Sequence, residues 1–503
     1  MFRSKFTSVV FALLPISFLF AQNNLPEDQF SRSVLEADLR FLAADELMGR
    51  ATGTPGIDAA ARYIAEQFRA AGAQPAPGFD DFLHPIEFER VQSGKTGKIM
   101  LWENELAQGQ AFFVLEGGAL SIETEAVFVN QGWRDEEKNV NDYNGLDLAG
   151  KIAVCQTGFP GATPIQALRA GAQKREFARE AGAVALIEIN TGTPPWQLIS
   201  RFLGSSRIQL KQDDDSEKAP FFHVIADGKD ELLTKAQEDG SSIPAKIESP
   251  GMKKETVVSS NVVGWIEGSD EKLKEEFVVL SAHYDHVGAG LHMRGATPAD
   301  SIFNGARDNG IGTAAIMSAA RAFGEKPPAR SVIFLACTAE EVGLLGSRYY
   351  VENPPFPLEK TIFNFNTDGA GYSDTTIVTV IGLERTSAEQ VIHDGAGRYD
   401  LIAIQDPMPA QNLFDRSDNV NFARQGIPAP NFSPGIRSFG GEIGKRYHQP
   451  ADEIDADFNF SYVLRFCQAY TNAARRIANL PEQPKWQAGD KYEEAWKILF
   501  EDK

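Results

Sequence analysis

Cysteine is scarce in this sequence, because Cys155, Cys337 and Cys467 are the only three among 503 residues. Their number and spacing fit neither a disulfide framework nor a zinc ribbon, so we expect buried free thiols. Basic residues are also in deficit, with 49 Lys and Arg against 69 Asp and Glu and a net charge of −20. No basic stripe is present that could follow a nucleic-acid backbone, and we therefore expect no nucleic-acid partner.

Long apolar runs are absent beyond the N-terminus, where no segment approaches the roughly 18 consecutive apolar residues of a membrane-spanning helix. At the N-terminus, a positively charged start precedes a largely apolar run from Thr7 to Phe20, and the small Ala21 follows. This pattern predicts a signal peptide over residues 1–21 and an exported, periplasmic or extracellular protein without a stable membrane span. Leu19 at the −3 position is less typical than alanine, which leaves an uncleaved anchor as the alternative.

The overall composition, 43% hydrophobic and 23% charged, is that of an ordinary globular protein. In the second half of the chain, apolar β-type runs alternate with helical patterns, for example Phe277 to Ser281 and then Ile311 to Phe323. This alternation predicts an α/β domain with helices on both faces of a sheet. Short β-rich runs and turns mark residues 120–250 as an insert. We therefore predict a main domain split over residues 22–119 and 251–503.

Five short motifs each place a residue able to bind a metal at the end of an apolar run or in a loop. The first is Ser-Ala-His283-Tyr-Asp285, after a strand-like run. Side chains two apart on an extended segment project to the same side, so His283 can bind a metal while Asp285 orients it. His286 follows and is expected to line the site. In the second motif, glycines on both sides of Asp308 form a tight backbone that can direct its carboxylate into a cavity.

The third motif places Glu340 and Glu341 directly after the apolar run that ends at Thr338. Two carboxylates that face one poorly solvated site repel each other. A metal ion removes this conflict by binding one carboxylate and leaving the other to move a proton. The fourth motif places Asp368 before a glycine at another strand end, where an ordinary turn aspartate is the alternative interpretation.

The fifth motif, Tyr-His-Gln-Pro-Ala-Asp at 447–452, lies in a loop late in the chain. His448 can bind a metal, and the hydroxyl of Tyr447 can donate a hydrogen bond to a developing oxyanion. Two zinc ions that share one carboxylate and hold a water for hydrolysis suit such a set of two histidines and three carboxylates. The predicted metal ligands are His283, Asp308, Glu341, Asp368 and His448. Glu340 is left free as the general base.

In this order, the motifs resemble those of the co-catalytic zinc exopeptidases, a family that includes secreted bacterial aminopeptidases and glutamate carboxypeptidase. Residues 42–56, Leu-Ala-Ala-Asp-Glu-Leu-Met-Gly-Arg-Ala-Thr-Gly-Thr-Pro-Gly, are similar to the family's N-terminal segment, and residues 414–418, Phe-Asp-Arg-Ser-Asp, to another. The insert resembles a protease-associated domain at 146–151, Leu-Asp-Leu-Ala-Gly-Lys, and at 182–186, Gly-Ala-Val-Ala-Leu. The resemblance covers nearly the whole mature chain and implies a mixed central sheet flanked by helices.

The resemblance also implies how the two zinc ions are held. One ion is expected at His283 and Asp368 and the other at Glu341 and His448, with Asp308 bridging them. The ligand set is better supported than this pairing.

The remaining roles are likewise implied by the resemblance. Glu340 is expected to take a proton from water and pass it to the leaving amine, Tyr447 to polarise the scissile carbonyl, and Asp285 to support the site. Two positions depart from the family pattern. Arg307 stands where many relatives have aspartate, and Asn419 stands where many have histidine, which could alter the wall that contacts substrate.

The function expected from these features is a secreted zinc exopeptidase, most readily an aminopeptidase acting on peptides. A carboxypeptidase or dipeptidase with the same two-zinc site is the first alternative. An acyl transferase similar to glutaminyl cyclase is disfavoured, because those relatives use one zinc and other ligands. A receptor-like relative without metals is disfavoured by the complete ligand set. The residues leave open the oligomeric state and whether the insert shapes the cleft or binds substrate or a partner. Structural or surface roles are expected for the histidines outside the motifs, which are His84, His223, His292 and His393.

Overall fold

The computed structural model describes residues 24–163, 166–167, 170–192, 194–211, 221–228 and 242–501. The predicted signal peptide at 1–21 lies outside the described residues. Within the described ranges, no helix is both long enough and apolar enough to cross a membrane. The three cysteines are free and buried, as the sequence predicts.

The main sheet has ten strands and is mixed. Its strands are β1 (Gln74–Pro75), β2 (Leu83–Ser93), β11 (Arg207–Leu210), β14 (Met252–Ile266), β15 (Phe277–His283), β18 (Ser331–Cys337), β19 (Thr361–Asn366), β20 (Ile377–Ile381), β21 (Ile402–Ile404) and β22 (Asn431–Pro434). The order across the sheet is β11-β2-β14-β18-β15-β19-β22-β20-β21, with β1 beside β14. Strands β18, β15, β19 and β22 are parallel neighbours, whereas β14 and β20 run antiparallel to their neighbours β18 and β22. The predicted mixed α/β fold class is thereby confirmed.

A second sheet of eight strands follows the order β4-β3-β13-β6-β9-β10-β12-β5. Its strands are β3 (Lys98–Leu101), β4 (Asn104–Ala107), β5 (Phe112–Glu116), β6 (Leu120–Phe128), β9 (Ile152–Gln156), β10 (Ala185–Asn190), β12 (Phe222–Asp227) and β13 (Ile243–Ser249). Two small ribbons complete the strands, β7 (Arg134–Asp135) with β8 (Val140–Asn141) and β16 (Gly288–Ala289) with β17 (Ile302–Phe303).

The second sheet begins earlier in the chain than the predicted insert at 120–250. Strands β3, β4 and β5 precede residue 120 but belong to this sheet, because β3 pairs with β13 and β5 pairs with β12. These pairings join residues more than a hundred positions apart, which local pattern does not reveal. In the opposite direction, β11 lies within the predicted insert but pairs with β2 of the main sheet.

Helices cover both faces of the main sheet, and two further helices pack on the second sheet. Those of the second sheet are α3 (Gly171–Glu180) and α4 (Trp196–Leu203). The others in the described residues are α1 (Arg32–Leu42), α2 (Pro55–Ala70), α5 (Ile311–Glu325), α6 (Leu345–Glu352), α7 (Glu389–Gly397), α8 (Asn419–Arg424), α9 (Glu442–Arg446), α10 (Phe460–Ala478) and α11 (Glu493–Phe500). Apolar residues of α1, α2, α5, α7 and α10 pack on one face, and those of α6, α8 and α11 on the other. Every residue of β15 and β18 is buried, which explains their continuous apolar runs.

Candidate active site

Three neighbouring parallel strands end at the same edge of the main sheet, and each leads into a predicted motif. Strand β15 ends at His283, β18 ends just before Glu340, and β19 ends just before Asp368. Strand β15 lies between the other two and is parallel to both. Because parallel strands present their carboxyl ends at one edge, three motifs that are distant in sequence become neighbours in space.

The second motif enters the site through a tight loop before α5. Gly305 has a φ of 60° in the left-handed region. A Cβ there would lie 2.5 Å from the Asp308 carbonyl oxygen and 2.6 Å from the His286 ring, so this turn requires glycine. The carboxylate of Asp452 accepts hydrogen bonds from the backbone nitrogens of Arg307 and Asp308, at 3.0–3.1 Å. The fifth motif therefore fixes the loop that carries Asp308.

The five predicted metal ligands come together around the carboxylate of Asp308. On one side, His283 Nε2 lies 3.4 Å from Asp308 Oδ1 and 3.1 Å from Asp368 Oδ1. On the other, His448 Nε2 lies 3.3 Å from Asp308 Oδ2 and 3.1 Å from Glu341 Oε2. The two oxygens of one carboxylate thus face two separate pairs of donors. The carboxylate of Asp308 therefore connects the two groups of donors.

His286 lies closer to the predicted metal ligands than expected for a residue that only lines the site. The His286 ring is buried, and its Nδ1 lies 2.9 Å from Glu341 Oε1 without hydrogen-bond geometry. Both ring nitrogens and this oxygen have no hydrogen-bond partner among the described residues. Donor atoms of His286, Asp308, Glu341 and His448 all lie within 4.8 Å of one another. Buried donors without partners fit a cation, which would satisfy them.

The pKa values of the adjacent residues Glu340 and Glu341 are shifted in opposite directions. Burial raises the pKa of Glu340 well above its usual range, and Asp368 and Glu341 add to this effect against the opposing His283. Burial and Asp308 act to raise the pKa of Glu341 as well, but His286 and His448 outweigh them and lower it to about 2. Carboxyl groups whose environments separate their pKa values have different roles. Glu341 is suited to bind a cation, and Glu340 is suited to hold and release a proton.

Asp285 positions both glutamates and His283. Its carboxylate is buried and accepts hydrogen bonds from the backbone nitrogens of Glu340 and Glu341, at 3.1 and 3.2 Å. The backbone carbonyl of Asp285 lies 3.1 Å from His283 Nδ1 and fixes the orientation of that ring. Asp285 therefore supports the site by holding the backbone of Glu340 and Glu341 and the ring of His283 in place.

Tyr447 lines the active-site cavity of about 80 Å³, and its ring stacks on His448 with the centroids 4.0 Å apart. Burial raises the pKa of Tyr447, so its hydroxyl remains a proton donor at neutral pH. The hydroxyl is thus able to donate a hydrogen bond into the cavity.

The side chain of Arg50 connects the N-terminal segment at 42–56 to the loops that form the site. Its guanidinium is buried and donates hydrogen bonds to the carbonyls of Tyr284, Asn304 and Gly305, at 2.6–3.0 Å, and also to that of Leu42. One side chain thus joins α1, the loop after β15 and the loop that carries Asp308. Sequence reasoning noted the segment by resemblance but gave Arg50 no role, because its partners are all backbone carbonyls.

Replacement of Arg50 by Met is expected to destabilise the protein by about 3 kcal/mol or more. Each buried carbonyl left without a donor costs about 1–3 kcal/mol, and four lose their partner. Urea unfolding measures the change, and Arg40→Met is the matched control because Arg40 is exposed and pairs with Glu36 across one helical turn. Equal stability of the two variants would contradict the structural role of Arg50.

The two departures from the family pattern are both buried away from the cavity. Arg307 pairs with Asp452 and Asp455, each at 3.3 Å, and lies over the Phe458 ring. The Asn419 side chain donates to the carbonyls of Phe414 and Ala429. Neither is among the residues that line the cavity, although Ser417 is. Asn419 therefore does not line the cavity itself, and it could alter the wall that contacts substrate only through neighbours such as Ser417.

Imidazoles and carboxylates gathered at the carboxyl edge of a mixed α/β sheet, beside a glutamate suited to move a proton, define a metallopeptidase. Residues 261–467 match Peptidase family M28, and residues 122–231 match the PA domain. The main domain is therefore similar to peptidase family M28 over residues 261–467, and the part of the second sheet within residues 122–231 is similar to the PA domain. The family resemblance of the motifs and of the insert is confirmed.

Individual relatives agree with this assignment. The aminopeptidase YwaD of Bacillus subtilis is 28% identical over 44% of this chain and 45% of its own length. Leucine aminopeptidase 2 of Trichophyton rubrum is 26% identical, over 50% and 53% respectively. The chain spans about half the length of the curated relatives it matches. An aminopeptidase structure from Aneurinibacillus sp. strain AM-1 covers 92% of this chain and 96% of its own, with a TM-score of 0.56 and 21% identity, which shows a shared fold.

Proposed function

We propose that this protein is an exported zinc aminopeptidase that removes N-terminal residues from peptides. The observation that carries the proposal is the position of Asp308, whose two carboxylate oxygens face two separate donor pairs while Glu340 stands beside them. The signal peptide predicted at 1–21 supports export, and the aminopeptidase relatives support the substrate class.

Zinc is the ion that these donors fit best. Imidazole and carboxylate ligands suit zinc, and the buried donors of His286 and Glu341 lack other partners among the described residues. We propose one ion at His283 and Asp368 and one at Glu341 and His448, with Asp308 shared. Two such ions, when bound, would polarise the scissile carbonyl and lower the pKa of a bound water.

The chain's own residues then move and place protons. Glu340 stands beside the proposed ligands and would accept a proton from the attacking water and donate it to the leaving amine. The Tyr447 hydroxyl donates a hydrogen bond to the oxygen of the scissile carbonyl as charge develops there. Asp285 keeps Glu340 in place through the backbone nitrogen that it accepts from.

Zinc binding is expected to release protons at pH 7. Burial favours the neutral imidazole, but Asp308 and Glu341 outweigh it and raise the pKa of His448 to about 10, so the metal-free ring carries a proton. That proton stabilises the metal-free fold below about pH 6.5, and the contribution is lost as pH rises through 10. Zinc needs the neutral ring, so its affinity has the opposite dependence and falls as pH falls. Calorimetric zinc titrations in buffers of different ionisation enthalpy measure the protons released, and release of none would contradict this account.

Apolar residues in the lining of the active-site cavity predict a preference for apolar N-terminal residues. Ile381, Leu413 and Ile436 form this apolar wall. We expect kcat/KM for leucine p-nitroanilide to exceed that for the alanine compound about tenfold or more, because the additional carbons of leucine are removed from water at this wall. Leu413→Ala should lower the rate on leucine and leave the alanine compound nearly unchanged. Equal effects of Leu413→Ala on both compounds would count against this assignment of the wall.

A carboxypeptidase is the second candidate, and one observation favours it. Arg416 also lines the cavity, and a guanidinium can bind a C-terminal carboxylate. Assays on amino-acid p-nitroanilides and on N-blocked peptides separate the two activities. We expect cleavage of the p-nitroanilides, which have a free amine. Cleavage of only the blocked peptides, from their C-termini, would show that the aminopeptidase proposal is wrong, and cleavage of neither would indicate an inactive receptor-like relative.

A further inference from the structure

A larger cavity of about 460 Å³ lies in the PA domain and shares no lining residue with the active-site cavity. Its volume is within the range of pockets that bind small molecules, roughly 300–1,000 Å³. The cavity lies between α4 and the β10 and β12 strands of the second sheet. Nothing in the proposed peptidase chemistry uses this space.

The walls of the PA-domain cavity are mainly apolar. Leu115 and Ile225 line it from the second sheet, and Ile199 and Leu203 line it from the buried face of α4. At the mouth, Phe202 also lines the cavity with its side chain 65% exposed. Covering this exposed aromatic ring with an apolar ligand would be favourable, because it removes apolar surface from water.

The floor of the cavity is polar but carries no unpaired charge. Glu188 Oε2 accepts from Lys174 Nζ at 2.6 Å, and Glu188 Oε1 lies 2.8 Å from His223 Nε2. Burial acts to raise the pKa of Glu188, but Lys174 and His223 outweigh it and lower it to about 2. The ionised Glu188 therefore balances Lys174. His223, expected to have a structural or surface role, is buried in this cluster.

Two arginines, Arg207 and Arg175, contribute positive charge to the lining of the cavity. Arg207 is half-buried against the Phe202 ring, 5.7 Å from its centroid, and burial lowers its pKa. No carboxylate of the described ranges lies within ion-pair distance of Arg207. Arg175 binds Glu116 through Nη1 at 3.1 Å, and its buried Nε lies 3.9 Å from Glu176 Oε1 but has no hydrogen-bond partner in the described part of the chain. The buried hydroxyl of Thr157 is equally without a partner there.

We propose that this cavity is a binding site for an apolar monocarboxylate. The apolar body packs against α4, and the carboxylate is held by the guanidinium of Arg207, with Arg175 Nε as a further donor. Arginine binds carboxylates through paired hydrogen bonds, and the partly desolvated surroundings strengthen them. Two sources offer this chemistry, a medium-chain fatty acid and an apolar amino acid whose amine is blocked, as at the C-terminus of a peptide.

Calorimetric titration of the full-length protein with decanoate and with N-acetyl-leucine tests the proposal and distinguishes the two sources. Decyltrimethylammonium is the matched ligand of opposite charge. We expect one bound carboxylate per chain and no comparable binding of the cation. Arg207→Gln should weaken carboxylate binding about 10- to 100-fold, which is the range for a charged hydrogen bond.

Arg201→Gln is the matched control variant, because Arg201 lies on α4 but does not line this cavity. It should leave the affinity unchanged, and neither variant should change peptidase activity. Binding that is equal in the wild type and in Arg207→Gln would overturn the proposal, as would no binding or equal binding of the ammonium compound. The titration is repeated in the Glu340→Gln variant, which lacks the proposed general base but keeps the PA-domain cavity. Carboxylate binding should be unchanged in this variant, so failure of this proposal is distinguishable from failure of the peptidase proposal.

Discussion

The Glu340→Gln variant is expected to retain two zinc ions per chain and to lose about 10²- to 10⁴-fold in kcat. This is the usual contribution of a general base or acid, and glutamine cannot accept or return the proton. The variant keeps the size and the backbone hydrogen bond through which Asp285 holds this position. Steady-state kinetics on leucine p-nitroanilide and elemental analysis of the same preparations measure both quantities.

The neighbouring substitution Glu341→Gln is the control for this experiment. Glu341 contacts His448 and His286, so its loss should lower zinc content as well as activity. The carboxylate of Glu340 also lies near His283 and Asp368 and could reach an ion there. If Glu340→Gln loses zinc as readily as Glu341→Gln, Glu340 is a metal ligand and its role as the proton carrier is wrong.

Asp308→Ala is expected to abolish measurable activity and to remove both zinc ions. Each of the two donor pairs contains one imidazole and one carboxylate besides Asp308, so loss of the shared carboxylate weakens both sites together. Asp368→Ala, in contrast, should weaken one site and leave the ion at the other. Zinc stoichiometry at increasing chelator concentrations separates the two patterns.

Asp300→Ala is the control for these substitutions, because Asp300 is exposed and, among the described residues, its carboxylate accepts only from the backbone nitrogen of Ile302. It should change neither zinc content nor kcat. Sequential loss of the two ions in Asp308→Ala, as in Asp368→Ala, would show that the carboxylate is not shared.

The central strands were predictable because complete burial leaves a local signature. All residues of β15 and β18 are buried, and all except His283 are apolar or small. Such runs, bounded by polar motifs, can be recognised in the sequence. The start of the PA domain was not predictable, because β3 belongs to that sheet only through its pairing with β13 far along the chain. Pairing of distant strands depends on tertiary contacts, which no local pattern contains.

The sequence suggests the proposed ligands because three of them end or follow a strand and Asp308 lies in a glycine-rich loop, whereas His448 follows the short helix α9. Arg50 was missed, and His286 was expected only to line the site, for different reasons. Arg50 binds carbonyl oxygens, which every residue has, so sequence gives no sign of its partners. His286 reaches Glu341 only because of the turn after β15. Asp452 was noted within its motif, but its support of the Asp308 loop depends on contacts across more than a hundred residues.

Diffraction from a crystal of the zinc-loaded protein, measured at wavelengths on both sides of the zinc absorption edge, tests the two-ion site directly. We expect two anomalous peaks per chain, one on each side of the Asp308 carboxylate. One peak should adjoin His283 and Asp368, and the other should adjoin Glu341 and His448. A single peak, or two peaks that do not share Asp308, would contradict the two-ion site on which the proposed function rests.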